Sequence, residues 1–142
     1  MSMSTKYTKR QIIDGLQIVK TKPNIKTPDR GSNLHVYYKI YSPETFTIPE
    51  HSSKTIKTGL FINVCGGQMI SVYADKDMAD LGILMSTHNR CCDCNHEIEL
   101  MYFNLTPKSK TIQQDSVIAR FNVINCVIPK VVELDSVDEF LH

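Results

Sequence analysis

The sequence has no apolar run near the ~18–20 residues that a membrane span requires, and residues 1–10 are polar. Neither a transmembrane helix nor a secretory leader is expected, so the cytoplasm or nucleus is the expected compartment. Charge of one sign is missing too: 16 Lys and Arg face 15 Asp and Glu, a formal net of +1. That balance excludes the strongly basic profile of a nucleic-acid binder. With 42% hydrophobic residues the chain is also not a disordered one. Internal repeats and low-complexity tracts are absent. Five Cys is an odd number, and three of them crowd into Cys91-Cys92-Asp93-Cys94. Without a leader they read as reduced thiols and not as a disulfide framework.

What is there is a chain of 142 residues, enough for one domain with a real core. The neutral total hides an asymmetry, because residues 1–30 carry seven bases against two acids. Lys6, Lys9 and Arg10 head this basic stretch, whereas Glu133, Asp135, Asp138 and Glu139 make the end acidic. The expected division is a basic arm over residues 1–15, a β domain over 16–135 and a short acidic tail over 136–142. A basic arm can touch phosphate or an acidic partner surface, although most such runs are solvated ends.

Strand signals dominate. Residues 34–41 (LHVYYKIY) alternate and are rich in β-formers. Further runs cover 46–49, 55–64, 69–73, 97–103, 117–124 and 130–134. Turn residues separate them, among them Pro28-Asp29-Arg30-Gly31-Ser32 and Gly66-Gly67. Many short strands at regular spacing predict an all-β sandwich or barrel with at most one short helix, at 75–81. Tyr37, Tyr38 and Tyr41 read as core plus surface of one strand, and His35 as a packed or edge residue. Asn104-Leu105-Thr106 matches a glycosylation sequon but reads as a strand end.

The order of these segments resembles the trimeric dUTPases. Thr27-Pro28-Asp29-Arg30-Gly31-Ser32, then Tyr38-Lys39-Ile40-Tyr41-Ser42, then Phe46-Thr47-Ile48-Pro49 are similar to the opening of that family. The similarity runs on through Lys57-Thr58-Gly59, Leu100-Met101-Tyr102-Phe103-Asn104, Ile118-Ala119 and Pro129-Lys130-Val131-Val132-Glu133. The resemblance implies a dUTPase-like jelly roll, a homotrimer, and hydrolysis of dUTP with Mg²⁺.

The chemical positions depart from the family pattern. Where the first motif has an Asp, this chain has Lys39, which cannot be a carboxylate metal ligand and would repel Mg²⁺. The second motif, Pro-Arg-Ser-Gly in the family, reads about Ala74-Asp75-Lys76-Asp77, the wrong sign for cradling phosphate. The third motif becomes His88-Asn89-Arg90-Cys91-Cys92-Asp93-Cys94-Asn95-His96. Cys91 falls on the water-activating Asp and Cys94 on the Tyr under the sugar, while Asp93 survives. The fourth motif keeps Ile118-Ala119 and carries Arg120 in place of a polar neutral residue. The Gly-rich closing arm does not follow before His142.

Retained scaffold with altered chemistry predicts a catalytically inactive dUTPase-like protein, with no cofactor, that works by binding a host or viral protein. A viral source follows only from the habit of such derivatives. Candidate partner-binding residues are Lys6, Lys9, Arg10, Asp75, Asp77, His88, Arg90 and His96. No membrane and no nucleic acid is expected as partner, and nucleotide binding is left open. The alternative is an active or altered dUTP nucleotidohydrolase, with Asp93 as its acid, or a nucleotide sensor. His88, Cys91, Cys94 and His96 are zinc-type ligands at plausible spacing. On an extended segment Cys92, Cys94 and His96 share one face and Cys91 the other, so thiols filling an altered pocket is the preferred reading.

Overall fold

The computed structural model describes residues 15–86, 96–127 and 129–141. Ten strands appear: β1 (Gln17–Lys20), β2 (Tyr38–Tyr41), β3 (Phe46–Ile48), β4 (Ser53–Lys57), β5 (Leu60–Asn63), β6 (Gln68–Ala74), β7 (Ile83–Met85), β8 (Glu99–Asn104), β9 (Lys110–Ile112) and β10 (Val117–Asn125). Two short helices join them, α1 (Lys76–Asp80) and α2 (Val137–Phe140). All pairings are antiparallel, in small sheets ordered β1-β5, β2-β10-β6, β3-β9 and β4-β8-β7. The all-β class is therefore the one that the strand spacing predicts. Among the described residues no helix is long and apolar enough to cross a membrane.

Period-two alternation turns one face of each strand into a shared core. In β8, Leu100, Tyr102 and Asn104 point inward while Met101 and Phe103 stay at the surface. Ile40, Ile48, Leu60, Ile62, Ile70, Ile83, Ile118 and Phe121, drawn from all four sheets, are sealed from solvent. Tyr38 stacks on Phe121 across β2 and β10, with centroids 5.1 Å apart. Met78 is the anchor of α1, whose N-cap is Asp75.

Two buried polar side chains tie the sheets together. Asn104 donates to the carbonyls of Ile48 (3.0 Å), Pro49 (3.1 Å) and Lys108 (2.8 Å), and its Oδ1 accepts from Thr106 N and Oγ1. The sequon asparagine is thus spent inside the fold. Tyr102 donates to the Ile118 carbonyl at 2.6 Å, joining β8 to β10. Burial, and secondarily the Asp75 charge, push the Tyr102 hydroxyl far above the usual phenol range.

Several expected strands are shorter or absent. Of residues 34–41, only β2 pairs; Leu34 is 91% exposed, in a turn that Arg30 closes by donating to the His35 carbonyl and Asn33 Oδ1. The 55–64 run is two strands, β4 and β5, broken at Thr58-Gly59. Gly59 has φ +74°, and its N–H donates to the Glu97 carboxylate at 2.8 Å. Residues 130–134 form no strand, and Val131 is 89% exposed. Beyond them a single turn, α2, is capped by Ser136 and buries none of its residues. Cys65 and Cys126 lie just past the ends of β5 and β10 and not within strands.

Gly59→Ala tests the break between β4 and β5. Its Cβ would fall inside contact of Ile25 Cδ1 and 2.9 Å from Thr21 Oγ1, at a left-handed φ. The expected loss is about 2 kcal/mol or more in urea unfolding. Gly67→Ala, at φ +80° but with open space around it, should lose less; equal losses would contradict the packing.

Tyr102 gives a second test. Its folded-state pKa lies above the unfolded value, so stability is untouched below about pH 10 and falls as pH rises past it. Tyrosinate absorbance should show one phenol that ionises only when the chain unfolds. Tyr102→Phe should remove that late phase, and its persistence would contradict the assignment.

Candidate functional site

The sheet β2-β10-β6 has a core face and a polar face. Cα partners across neighbouring antiparallel strands point to the same side. Tyr38, Phe121 and Val72 form one such row, on the core side. The next row, Lys39, Arg120 and Tyr73, therefore projects the opposite way. Two cations stand directly opposite each other there, an arrangement that is unfavourable unless something anionic answers it.

One answer is Asp75, at the end of β6. Its carboxylate is 1% exposed. Oδ1 accepts from Arg120 Nε at 3.2 Å, and Oδ2 from the Asp77 N–H at 3.0 Å. Asp75 thus caps α1 and fixes Arg120, whose side chain remains 41% exposed. Sequence reasoning gave this position the wrong sign for phosphate. The structure shows why the sign does not stand alone: Asp75 is neutralised by a cation from the neighbouring strand, and that cation reaches solvent.

Lys39 is held differently. Its N–H donates to the Asp29 carbonyl at 2.7 Å, docking the Pro28–Ser32 turn against the edge of β2. Its ammonium lies over Gly31, 3.1 Å from where a Cβ would stand. Among the described residues Lys39 has no ion-pair partner. The nearby Asp29 carboxylate accepts from the Tyr41 hydroxyl at 2.9 Å, and Lys26 sits 4.2 Å over the Tyr41 ring. Burial, then the hydrogen bond to and charge of Asp29, raise the Tyr41 pKa.

One row further along, Asn122 pairs with Ser71. Asn122 Oδ1 is shut from solvent and meets no donor among the described residues. Tyr37 packs edge-on against Tyr73, with centroids 5.2 Å apart. Asp29, Tyr73 and Asn122 carried no signal in the sequence as site residues, because only strand register puts them beside Lys39 and Arg120.

The other predicted residues are dispersed. Lys76 and Asp77 lie on the exposed side of α1, where Lys76 pairs with Asp80 at 3.1 Å across a solvated turn. That contact, with lesser effects of Asp77 and Asp75, raises the Lys76 pKa; exposed pairs of this kind contribute little. His96 is exposed. His88, Arg90, Cys91, Asp93 and Cys94, with Lys6, Lys9 and Arg10, lie outside the described residues. So do three of the four zinc-type ligands.

Ser86 and Ile98 bracket the third-motif sequence, and both line a cavity of about 160 Å³. Val72, Met85 and Leu100 form its apolar wall, and Thr55 and Glu99 its polar rim. An apolar cavity of about 150 Å³ holds a benzene ring, so this one has room for a single six-membered ring.

Mg²⁺, which the family resemblance implies, demands a near-octahedral set of oxygen ligands. Among the described residues no group of three or more His, Cys, Asp or Glu could hold a metal ion. Asp75 has both oxygens engaged, and Lys39 and Arg120 occupy the face. Asp29 adds one unengaged oxygen, and a single such oxygen beside two cations does not fit the ion among the described residues.

Comparison with known proteins agrees with the scaffold. The dUTPase family model matches residues 23–141. A curated Candida albicans protein, deoxyuridine 5′-triphosphate nucleotidohydrolase, is 28% identical over 139 residues, covering 95% of this chain and 87% of its own length. Among solved structures, a mutant dUTPase of Staphylococcus bacteriophage 80alpha superposes with a TM-score of 0.78 at 14% identity, over 87% of this chain and 97% of that one. A mutant dUTPase from phage phi11 of S. aureus, described for its coordination of a structural Mg(II) ion, gives 0.78 at 13% identity, over 87% of this chain and 98% of that one. The strand arrangement is the dUTPase-like jelly roll. The chain belongs to the dUTPase family, and the expectation that it is no enzyme is overturned by this membership and by its nucleotidohydrolase relative.

Proposed function

We propose that the chain hydrolyses dUTP to dUMP and pyrophosphate. The observation that carries this reading is the cationic row, Lys39 and Arg120, which stands where the resemblance puts the first and fourth motifs of a triphosphate hydrolase. In such a reaction water attacks the α-phosphorus, the α–β anhydride bond breaks, and pyrophosphate leaves with the bridging electron pair. One proton is released. Negative charge gathers on the leaving group, and fixed cations beside it lower the barrier.

Arg120 suits that task because Asp75 holds its Nε while the rest of the guanidinium reaches solvent. Lys39 brings a second positive charge across the row. Asp93 is the acid that the third-motif sequence supplies to take the proton of the water.

The proposal extends to a homotrimer. Val127, Val131, Val132, Val137, Phe140 and Leu141 are all more than two-thirds exposed, an apolar segment that the described residues leave uncovered. Light scattering should give three times the 16.2 kDa of one chain. A monomer mass would remove this part of the proposal.

The activity is tested by incubating the purified chain with dUTP, dCTP and dTTP, in Mg²⁺ and in EDTA. Equimolar dUMP and pyrophosphate are expected from dUTP, with far less product from the others. Arg120→Gln, which keeps a donor for Asp75 but removes the charge, should lower kcat/KM by about tenfold or more. Absence of dUMP under all conditions would overturn the reading.

A further inference from the structure

We infer that this chain holds the triphosphate of its substrate on Lys39 and Arg120, without Mg²⁺. The inference rests on the nucleotide reading above but concerns a narrower matter, namely what neutralises the phosphates.

Among the described residues, a divalent ion at this face would meet two cations and a single unengaged carboxylate oxygen, Asp29 Oδ2. Lys39 and Arg120 are direct partners across β2 and β10. Among the described residues, Asp75 is the one acid whose carboxylate pairs with a cation of the row, and its two oxygens accept from Arg120 Nε at 3.2 Å and Asp77 N–H at 3.0 Å. Asp29, at the far edge, is engaged by the Tyr41 hydroxyl at 2.9 Å. Mg²⁺ prefers carboxylate and phosphate oxygens and keeps several waters; here Asp29 Oδ2 is the one carboxylate oxygen among the described residues beside the row that accepts no hydrogen bond, and the uncancelled Lys39 ammonium stands next to it in the fold.

The row carries an excess of positive charge as it stands. Asp75 cancels one of the two cations, and Lys39 has no ion-pair partner among the described residues. Like charges placed opposite each other on neighbouring strands repel, so the apo face is electrostatically unfilled. A polyphosphate chain fills it. Arg120 offers a planar fork for two phosphate oxygens, and Lys39 a point charge. The Lys39 ammonium is steered by the close approach of Gly31, where a Cβ would stand 3.1 Å from Nζ. The shared chemistry is a run of phosphoanhydride-linked phosphates, free or as part of a nucleotide.

The test is calorimetric titration of the full chain with inorganic triphosphate and, separately, with the non-hydrolysable α,β-imido analogue of dUTP. Each is run in EDTA and in Mg²⁺. Both probes should bind in EDTA at least as tightly as in Mg²⁺. Lys39→Met, which keeps the aliphatic stem, should weaken both by about tenfold, the worth of one charge-assisted contact. Lys39→Asp should make binding depend on Mg²⁺. Circular dichroism checks that each variant is folded. Binding that requires Mg²⁺ in the unaltered chain, binding in EDTA that ignores Lys39→Met, or no binding of either probe would overturn the inference. Hydrolysis of dUTP only in Mg²⁺ would overturn it while leaving the proposed activity standing. Triphosphate binding in EDTA without dUTP hydrolysis would support it while overturning that activity.

Discussion

A carboxylate as buried as Asp75 must be answered by charge or hydrogen bonds, and the geometry around it organises one end of the molecule. With 1% of its surface exposed, it cannot rely on water. Arg120 supplies the charge and the Asp77 N–H the second bond, so β10 is tied to the start of α1. Removing the partner of a fully buried charge costs about 3–5 kcal/mol; here the cost is smaller, because Arg120 keeps 41% of its side chain in solvent. The Asp75 charge is also felt by Tyr102, and Tyr102 bonds to Ile118, two residues before Arg120. Core and polar face therefore share a single electrostatic centre.

This dependence explains how two altered motif positions coexist. An acid in place of a phosphate-binding Arg is damaging when considered singly. So is an Arg in place of a neutral polar residue, if it is left without a partner in the sheet. Together, Asp75 and Arg120 form a pair that keeps the fold closed and still presents a cation outward. Neither position can be judged from its own substitution, because β6 and β10 bring them within 3.2 Å across 45 residues of sequence.

Most of the scaffold was legible because alternation is a local property. β3, β6, β8 and β10 were marked by β-branched and aromatic residues at period two, and α1 by Asp75 ahead of Met78. Alternation misled where nothing was available to pair with. Leu34 and Val36 alternate as a strand would, yet Arg30 and His35 close a turn that leaves them 91% and 65% exposed. The 130–134 run likewise lacks a strand neighbour among the described residues. β1, β7 and β9, of three or four residues each, escaped because none has an aromatic residue to mark it as Phe46 marks the equally short β3. Of the site, the identities of Lys39, Asp75 and Arg120 were visible, but their row was not. Register is decided by the hydrophobic face as a whole, so a cross-strand neighbour cannot be read from either strand alone.

The same reasoning bears on what the polar face recognises. A protein surface selected only for docking can place its charges anywhere, and a solvated pair of cations gains by moving apart. The backbones of Lys39 and Arg120 have no such freedom, although the charged ends reach to Gly31 and Asp75 respectively: the Tyr38–Phe121 stack on the core side fixes both strands, with ring centroids 5.1 Å apart. A one-residue slip of β2 against β10 would bury Lys39 and expose Tyr38, so the register that makes the core also imposes the cationic row. The positive charge of that row is answered by Asp75 on one side only. A ligand whose anionic groups are spaced along a chain relieves it at both cations at once. A single carboxylate would have to choose between them. A polyphosphate is therefore matched to the row by the number of its charges as well as by their sign.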